Sequence, residues 1–359
     1  MNETNMNRLP VPTWNQCGVN TAPAAAALPE PAGGWGDANF AVTLPAGVGE
    51  SEEGFTDFAE SGMGAEADAF LLENATVRHA LTVSENTAVA EPAVFEFTLD
   101  AAHPGALSVL DVDAKPGSTL TLVQVLRGDA ENGAAAHLVR IRAAEGAHVK
   151  LVQVQMLGSH ARRWDAVAVE EGTGAKVEQV RIELGGSVSA CGTRAELSCA
   201  KSEYDLDAVY FGSRDAVLDY NDVSVHTAKD TLCEMHTAGV LTGNASKILR
   251  GTIDFRRGAK RGVGHESEDV LLFSPTARNR TAPLILCGEE EVEGQHAASI
   301  GRLDEEKLYY LRSRGLSEAQ ARRLMVDARF APALDKIPLD ALREEVQAEA
   351  ARRLDEDAE

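Results

Sequence analysis

From about residue 90 to residue 300, hydrophobic and polar positions alternate with period two in short runs, such as HLVRIRA from His137 and HVKLVQVQ from His148. Gly, Ala, Glu or Asn turns separate them. GSTLTLVQV begins at Gly117, GAHVKLVQV at Gly146 and GAKVEQVRI at Gly174, at intervals of 29 and 28 residues. The same rhythm leads to SEYDLDAVY at Ser202, DTLCEMHTA at Asp230, GAKRGVGHE at Gly258 and, two residues late, GEEEVEGQH at Gly288. A unit with two strands cannot bury its apolar face alone, so successive units must pile up around one continuous core. The pattern predicts a mainly β fold, a right-handed β-helix over residues 77–300. An ordinary β-sandwich of meandering strands is the reading it competes with.

After Gly301 the period changes from two to 3.6. Asp304 caps a helix DEEKLYYLRSR that Gly315 stops, and Ser317 with Gln320 forms a capping box for a second helix. That helix places Ala321, Leu324, Met325 and Ala328 on one face. A third helix follows Pro338, with Leu339, Leu342, Val346 and Ala350 as an apolar stripe. Such a stripe fits docking onto the end of the solenoid, where helices would also shield the last strand edge. The acid-rich tail from Glu344 to Glu359 reads as solvated helix. At the other end, residues 21–54 are rich in Ala, Pro and Gly and read as a loop or weakly ordered arm. Before it, Leu9, Val11 and Trp14 form a small apolar cluster that docks on a neighbour or packs on its own domain. The chain thus divides into an N-terminal segment (1–76), the β-helix (77–300) and a helical region (301–359).

Composition narrows the function. Aromatic residues make up 5% of the chain, and 56 acidic against 34 basic residues give a net charge of −22. That field repels phosphate backbones and anionic lipid, so neither nucleic acid nor membrane is expected as a partner. No run of about 18 apolar residues occurs, and the start of the chain lacks a basic region followed by an apolar stretch, so a cytoplasmic location is expected. Cys17, Cys191, Cys199, Cys233 and Cys287 are scattered without a C-x-x-C pair, which argues against a disulfide framework or a self-contained metal site. Any metal must be shared or transient. With no G-x-x-x-x-G-K-[ST] loop, no G-x-S-x-G elbow and no paired acid and base, the chain does not read as an enzyme and holds no nucleotide site.

The stretch from Lys247 to Phe330 carries a family resemblance. It rests on Gly251 to Ile253 (G-x-I), LLFSPTA from Leu271 to Ala277, H-A-A-S-I-G from His296 to Gly301 and YYLRSRGLS from Tyr309 to Ser317. RLPVPTWNQCGVN, from Arg8 to Asn20, looks like an entry segment of shorter members. The chain resembles the SufB/SufD family of iron–sulfur cluster assembly proteins, and within it the short SufD-type members. The resemblance implies a scaffold subunit that pairs through its β-helix edges with a SufB-type subunit and works with the SufC ATPase. Homodimers in isolation are also allowed. It implies a transient Fe–S cluster at the subunit interface and leaves room for flavin in the complex.

Departures from the family pattern bear on the role. Glu268 stands where B-type subunits carry a sulfur-bearing cysteine, and Ala297 where they have a glutamate after the shared histidine. His296 is therefore the first candidate cluster ligand, weighed against a packed histidine, and Cys287 the second, weighed against a small core hydrophobe in PLILCG. Tyr309, Tyr310, Arg312, Arg314 and Gly315 are the implied SufC-docking element, against a helix that only caps the solenoid. His226, His236 and His265 could line a path to the interface or serve as surface and turn residues. Two other readings stay open: a B-like, self-sufficient homodimeric scaffold and, more distantly, a polysaccharide-active β-helix enzyme.

Overall fold

The computed structural model describes residues 5–13, 15–27, 35–51, 53–302 and 305–357. From Val77 to Arg302 successive strands fall alternately into two nine-stranded sheets, and each pairs in parallel with the next strand but one. Thr119 pairs with His148, His148 with Lys176, Lys176 with Glu203, Glu203 with Leu232 and Leu232 with Val263. These residues open the repeats found at Gly117, Gly146, Gly174, Ser202, Asp230 and Gly258. One repeat is therefore one coil, with one strand in each sheet, and the architecture is a β-helix.

The corner before these strands explains why the rhythm outlasts the residue identity. Asn86, Gly117, Gly146, Gly174, Lys201, Asp230 and Arg261 all hold left-handed backbone, with φ between 54° and 65°. The N–H of each donates to the carbonyl just ahead of its counterpart in the next coil, from Asn86 to Pro116, Gly117 to Glu145 and so on to Arg261 and Glu291. Seven such bonds stitch eight successive coils. Glycine suits the site because it lacks the Cβ penalty, but the bond itself needs no side chain, so Lys201, Asp230 and Arg261 replace it late in the stack.

Inward rows of the two sheets interleave into one core, exemplified by Leu122, Leu151 and Val177 facing Val112, Ile141 and Val169. Part of that core is polar. Gln153 donates to Gln124 (3.0 Å), Gln179 to Gln153 (2.9 Å) and the Tyr204 hydroxyl to Gln179 (2.8 Å). Arg181 meets Asp222 through two bonds of 2.8 Å, and Arg163 pairs with Asp165 and Glu183. Arg163 and Arg181 thereby gain opposite charges.

Four α-helices are present among the described residues: α1 (Ala65–Asn74), α2 (Glu305–Ser313), α3 (Glu318–Leu334) and α4 (Asp340–Asp357). Contrary to the expectation of a cap, α3 and α4 do not cover the end of the solenoid. They lie along the outer face of one sheet, where Val326, Phe330, Leu334, Leu342, Val346, Ala350 and Leu354 pack on Val125, Val154, Ile182 and Val240. The reason is the sheet's composition. In the C-terminal halves of its strands the outward row is apolar as well, at Val125, Val154, Ile182, Phe211 and Val240, and a sheet apolar on both faces there needs cover on both. Accordingly α3 buries Ala321, Val326 and Phe330 while Leu324 and Ala328 point outward, a stripe rotated from the expected one. The C-terminal tail is half docked rather than solvated. Arg353 donates to the carbonyl of Leu157 at 2.6 Å, and Glu345 pairs with Arg127 at 2.8 Å.

The N-terminal arm also differs from a loop. Asn39–Thr43 pairs antiparallel with Ala93–Leu99, and Val48–Ser51 with Val77–Val83, so each sheet begins with a short antiparallel strand. Leu9 packs on its own domain against Val19, Ile248 and Ala282, while Val11 is exposed. Arg250 fixes this arm, donating to the carbonyls of Val19 and Thr21 while holding Asp219. Trp14 and Asp304 lie outside the described residues.

Candidate functional site

The other end of the stack is open. Arg278–Cys287 and Val292–Arg302 are the last strands of the two sheets, and their outer edges pair with no strand among the described residues. Glu293 to Ile300 is exposed on both faces. Alternation fixes which side chains look into the stack. A Cβ on Gly294 would come within 3.0 Å of Ile285 and 3.1 Å of Phe255, so Gly294 faces the core. His296, Ala298 and Ile300 follow on the same row. Facing them, Thr281, Pro283, Ile285 and Cys287 form the inward row of the other sheet. With no further coil above, these two rows line a mouth.

His296 and Cys287 therefore stand on opposite walls of this mouth, both exposed. Cys287 is in register with the buried Phe255, so its row does run into the core. It is not the enclosed small hydrophobe that its apolar neighbours suggested, because its coil is the last.

One coil below, Glu266 is in register with His296 and Glu268 with Ala298. Both carboxyls are buried. Lys247 reaches Glu268 from the facing sheet, and the Thr281 hydroxyl donates to the second Glu268 oxygen. Burial lowers the Lys247 pKa, with Glu268 opposing the shift. Glu266 has no such partner: its Oε2 is buried without a hydrogen bond. Burial, then the neighbouring charges of Asp222 and Glu268, push its carboxyl up to about 7.

The three other histidines do not converge on this mouth. His226 is enclosed, with its Nδ1 2.8 Å from the Thr231 hydroxyl and its ring 4.7 Å from that of Phe255. His236 and His265 point to the outer face of their sheet, the first to Ser267 and the second to Glu234 and Glu293. No path is formed by them. Among the described residues, no group of three or more His, Cys, Asp or Glu is arranged to hold a metal ion.

The helical candidates sit elsewhere. Tyr309 and Tyr310 are 77% and 55% exposed on α2, and the Arg314 guanidinium lies 5.2 Å from the Tyr310 ring centre. Gly315, at φ +97°, ends the helix: its N–H donates to Arg312 and that of Leu316 to Leu311, the paired bonds of a Schellman cap. Arg312 stands 3.8 Å from Glu318, and Ser317 and Gln320 close the expected capping box. The result is an exposed aromatic and cationic patch on a rigid corner.

Sequence reasoning missed Glu266, Lys247 and Thr281. Its available signal was the alternation in GVGHESEDVLL, which puts Glu266 and Glu268 on the row of Gly264 and Val270.

A family model described as "SUF system FeS cluster assembly, SufBD core domain" matches residues 97–329. The chain is 29% identical over 150 residues to iron–sulfur cluster assembly protein SufD of Bacillus subtilis, covering 42% of this chain and 34% of that protein. It is 30% identical over 207 residues to an iron–sulfur cluster assembly SufBD family protein of Pyrococcus horikoshii, covering 55% and 44%. A SufBD family protein of Mycobacterium tuberculosis is 26% identical over 283 residues, covering 77% and 70%. The matched stretch spans less than half the length of the first two relatives.

Proposed function

This chain belongs to the SufB/SufD family, leaning to its SufD members, and from that premise we propose that it is a non-enzymatic scaffold subunit of iron–sulfur cluster assembly, pairing with a SufB-type subunit through the open end of its solenoid. The observation that carries the reading is the contrast between its two ends. At one end each sheet finishes in a short antiparallel strand of five or four residues, whereas at the other it finishes in a parallel strand of ten or eleven, two long unpaired edges around a mouth that holds His296. Unpaired edges are templates for a further strand, and a related β-helix offers matching ones.

A cluster held at such a junction is cargo shared between chains. His296 offers an imidazole and Cys287 a thiol, and thiolates from the partner would complete the set. Glu268 cannot act as a sulfur carrier. Its carboxylate is an internal brace for Lys247 and Thr281. This supports the D-type role over a self-sufficient B-like homodimer. The exposed Tyr309, Tyr310, Arg312 and Arg314, held by the turn at Gly315, suit docking of the SufC ATPase. No helix among the described residues is long and apolar enough to cross a membrane, and with the strong negative charge this supports work in the cytoplasm.

Coexpression with a SufB-type subunit and SufC, followed by size-exclusion chromatography, tests the proposal. A complex containing all three is expected. Elution of this chain alone in the presence of both would overturn it.

A further inference from the structure

The mouth contains more than the residues exposed in it. We propose that Glu266 is a second cation ligand there, acting beside His296 on ferrous iron, in a site that a partner chain completes. The inference rests on the reading of the open end as a subunit junction, and it adds a residue that lies beneath the exposed surface.

Placement comes first. Glu266 and His296 are directly paired across parallel strands and share the inward row, so their Cβ atoms are about 5 Å apart. Only the last coil stands between the Glu266 carboxyl and solvent. The carboxyl also has a prepared seat: Gly251, on the facing sheet, would bring a Cβ to 1.8 Å from Oε1, so only glycine leaves room for it. The next residue above Gly251 in that sheet is Pro283, on the wall of the mouth.

Charge comes second. Around the carboxyl, Lys247 is committed to Glu268 and Arg181 is committed to Asp222. Three carboxylates thus face two cations, and the one left over is Glu266, whose Oε2 meets no donor. An uncompensated carboxylate in a core is costly; Arg163 and Arg181 are answered by carboxylates, Glu171, away from the mouth, likewise has no salt-bridge partner, and of the two unpaired carboxyls only Glu266 lies one coil from the open end. A cation entering through the mouth would supply the missing charge. One carboxylate and one imidazole suit ferrous iron, yet two ligands do not fill its coordination sphere, which accounts for the need for a partner.

Anaerobic titration with cobalt(II), used in place of ferrous iron and followed by its visible absorption, tests the assignment on the chain copurified with its SufB-type partner. Glu266→Gln and His296→Ala should each weaken cobalt binding by about tenfold or more. The melting temperature of Glu266→Gln should stay level or rise, since that variant removes a buried unpaired charge. Unchanged binding in Glu266→Gln with weakened binding in His296→Ala would overturn the role of Glu266 and leave the proposed function standing. Unchanged binding in both, within a complex that still forms, would remove both ligands. Should Glu266→Gln fail to fold, Glu266→Asp, shorter by one methylene, serves instead: weaker binding supports the assignment and equal binding overturns it.

Discussion

Lys247 extends from one sheet across the core to Glu268 on the other, and neither charged group touches solvent. The pair ties the two sheets together one coil from the open end. Removing one member strands its partner's charge in the core. Lys247→Met should therefore cost about 3–5 kcal/mol, whereas Lys247→Met with Glu268→Leu should be close to neutral. Urea unfolding of both variants checks this, and a single variant within 1 kcal/mol of wild type, by about the error of the comparison, would refute it.

The stitched corner predicts opposite effects of two exchanges. Gly146 has φ +63° and no atom within 4 Å of a Cβ position, so Gly146→Ala isolates the backbone penalty. Lys201 holds the same conformation at φ +61° with a side chain. After allowing for the freedom glycine adds to the unfolded chain, Gly146→Ala should lose, and Lys201→Gly gain, about 0.5–1 kcal/mol. Denaturant midpoints that move in the same direction would contradict the account.

Acid should weaken the fold through its buried histidines. Burial alone brings His226 down to about 4, and burial followed by the Arg163 charge brings His137 down to about 3. As pH falls through about 6.5 the unfolded chain takes up these protons while the folded chain does not, so their stabilising effect is present above pH 6.5 and erodes down to about pH 4 for His226 and about pH 3 for His137. At pH 5 each histidine should account for about 2 kcal/mol of the loss. In His226→Asn the fall in stability between pH 7 and pH 5 should shrink by that amount. An unchanged slope would show that His226 is not the titrating group.

Ile300 is 52% exposed on the inward row of the last strand. Burial by a partner would make it an anchor, so Ile300→Asp should weaken copurification with a SufB-type subunit by about tenfold or more. In the isolated chain the same substitution should shift stability by no more than about 0.5 kcal/mol. Loss of stability with full retention of pairing would place the interface elsewhere.

The coils were readable because every one must turn through the same left-handed corner, and glycine marks that corner in the early repeats at Gly117, Gly146 and Gly174. The path of the helices was not. Runs such as LVQV announce a strand apolar on both faces, but which later segment covers Val125 or Val154 depends on where the chain travels after Arg302. For α3 the heptad spacing fit two faces, and the sheet beneath selected the one with Val326 and Phe330. His296 was legible from a motif, and Glu266 from alternation alone. Joining them required knowing that one strand passes directly over the other and that no coil follows.

The antiparallel strands at Asn39–Thr43 and Val48–Ser51 have a consequence for assembly size. A rod receptive at both tips would add subunits without limit and grow into fibres. Because one tip ends in short antiparallel strands that do not match the long parallel ones, two rods that meet at their long-stranded tips leave no second matching tip among the described residues, and growth stops at the pair.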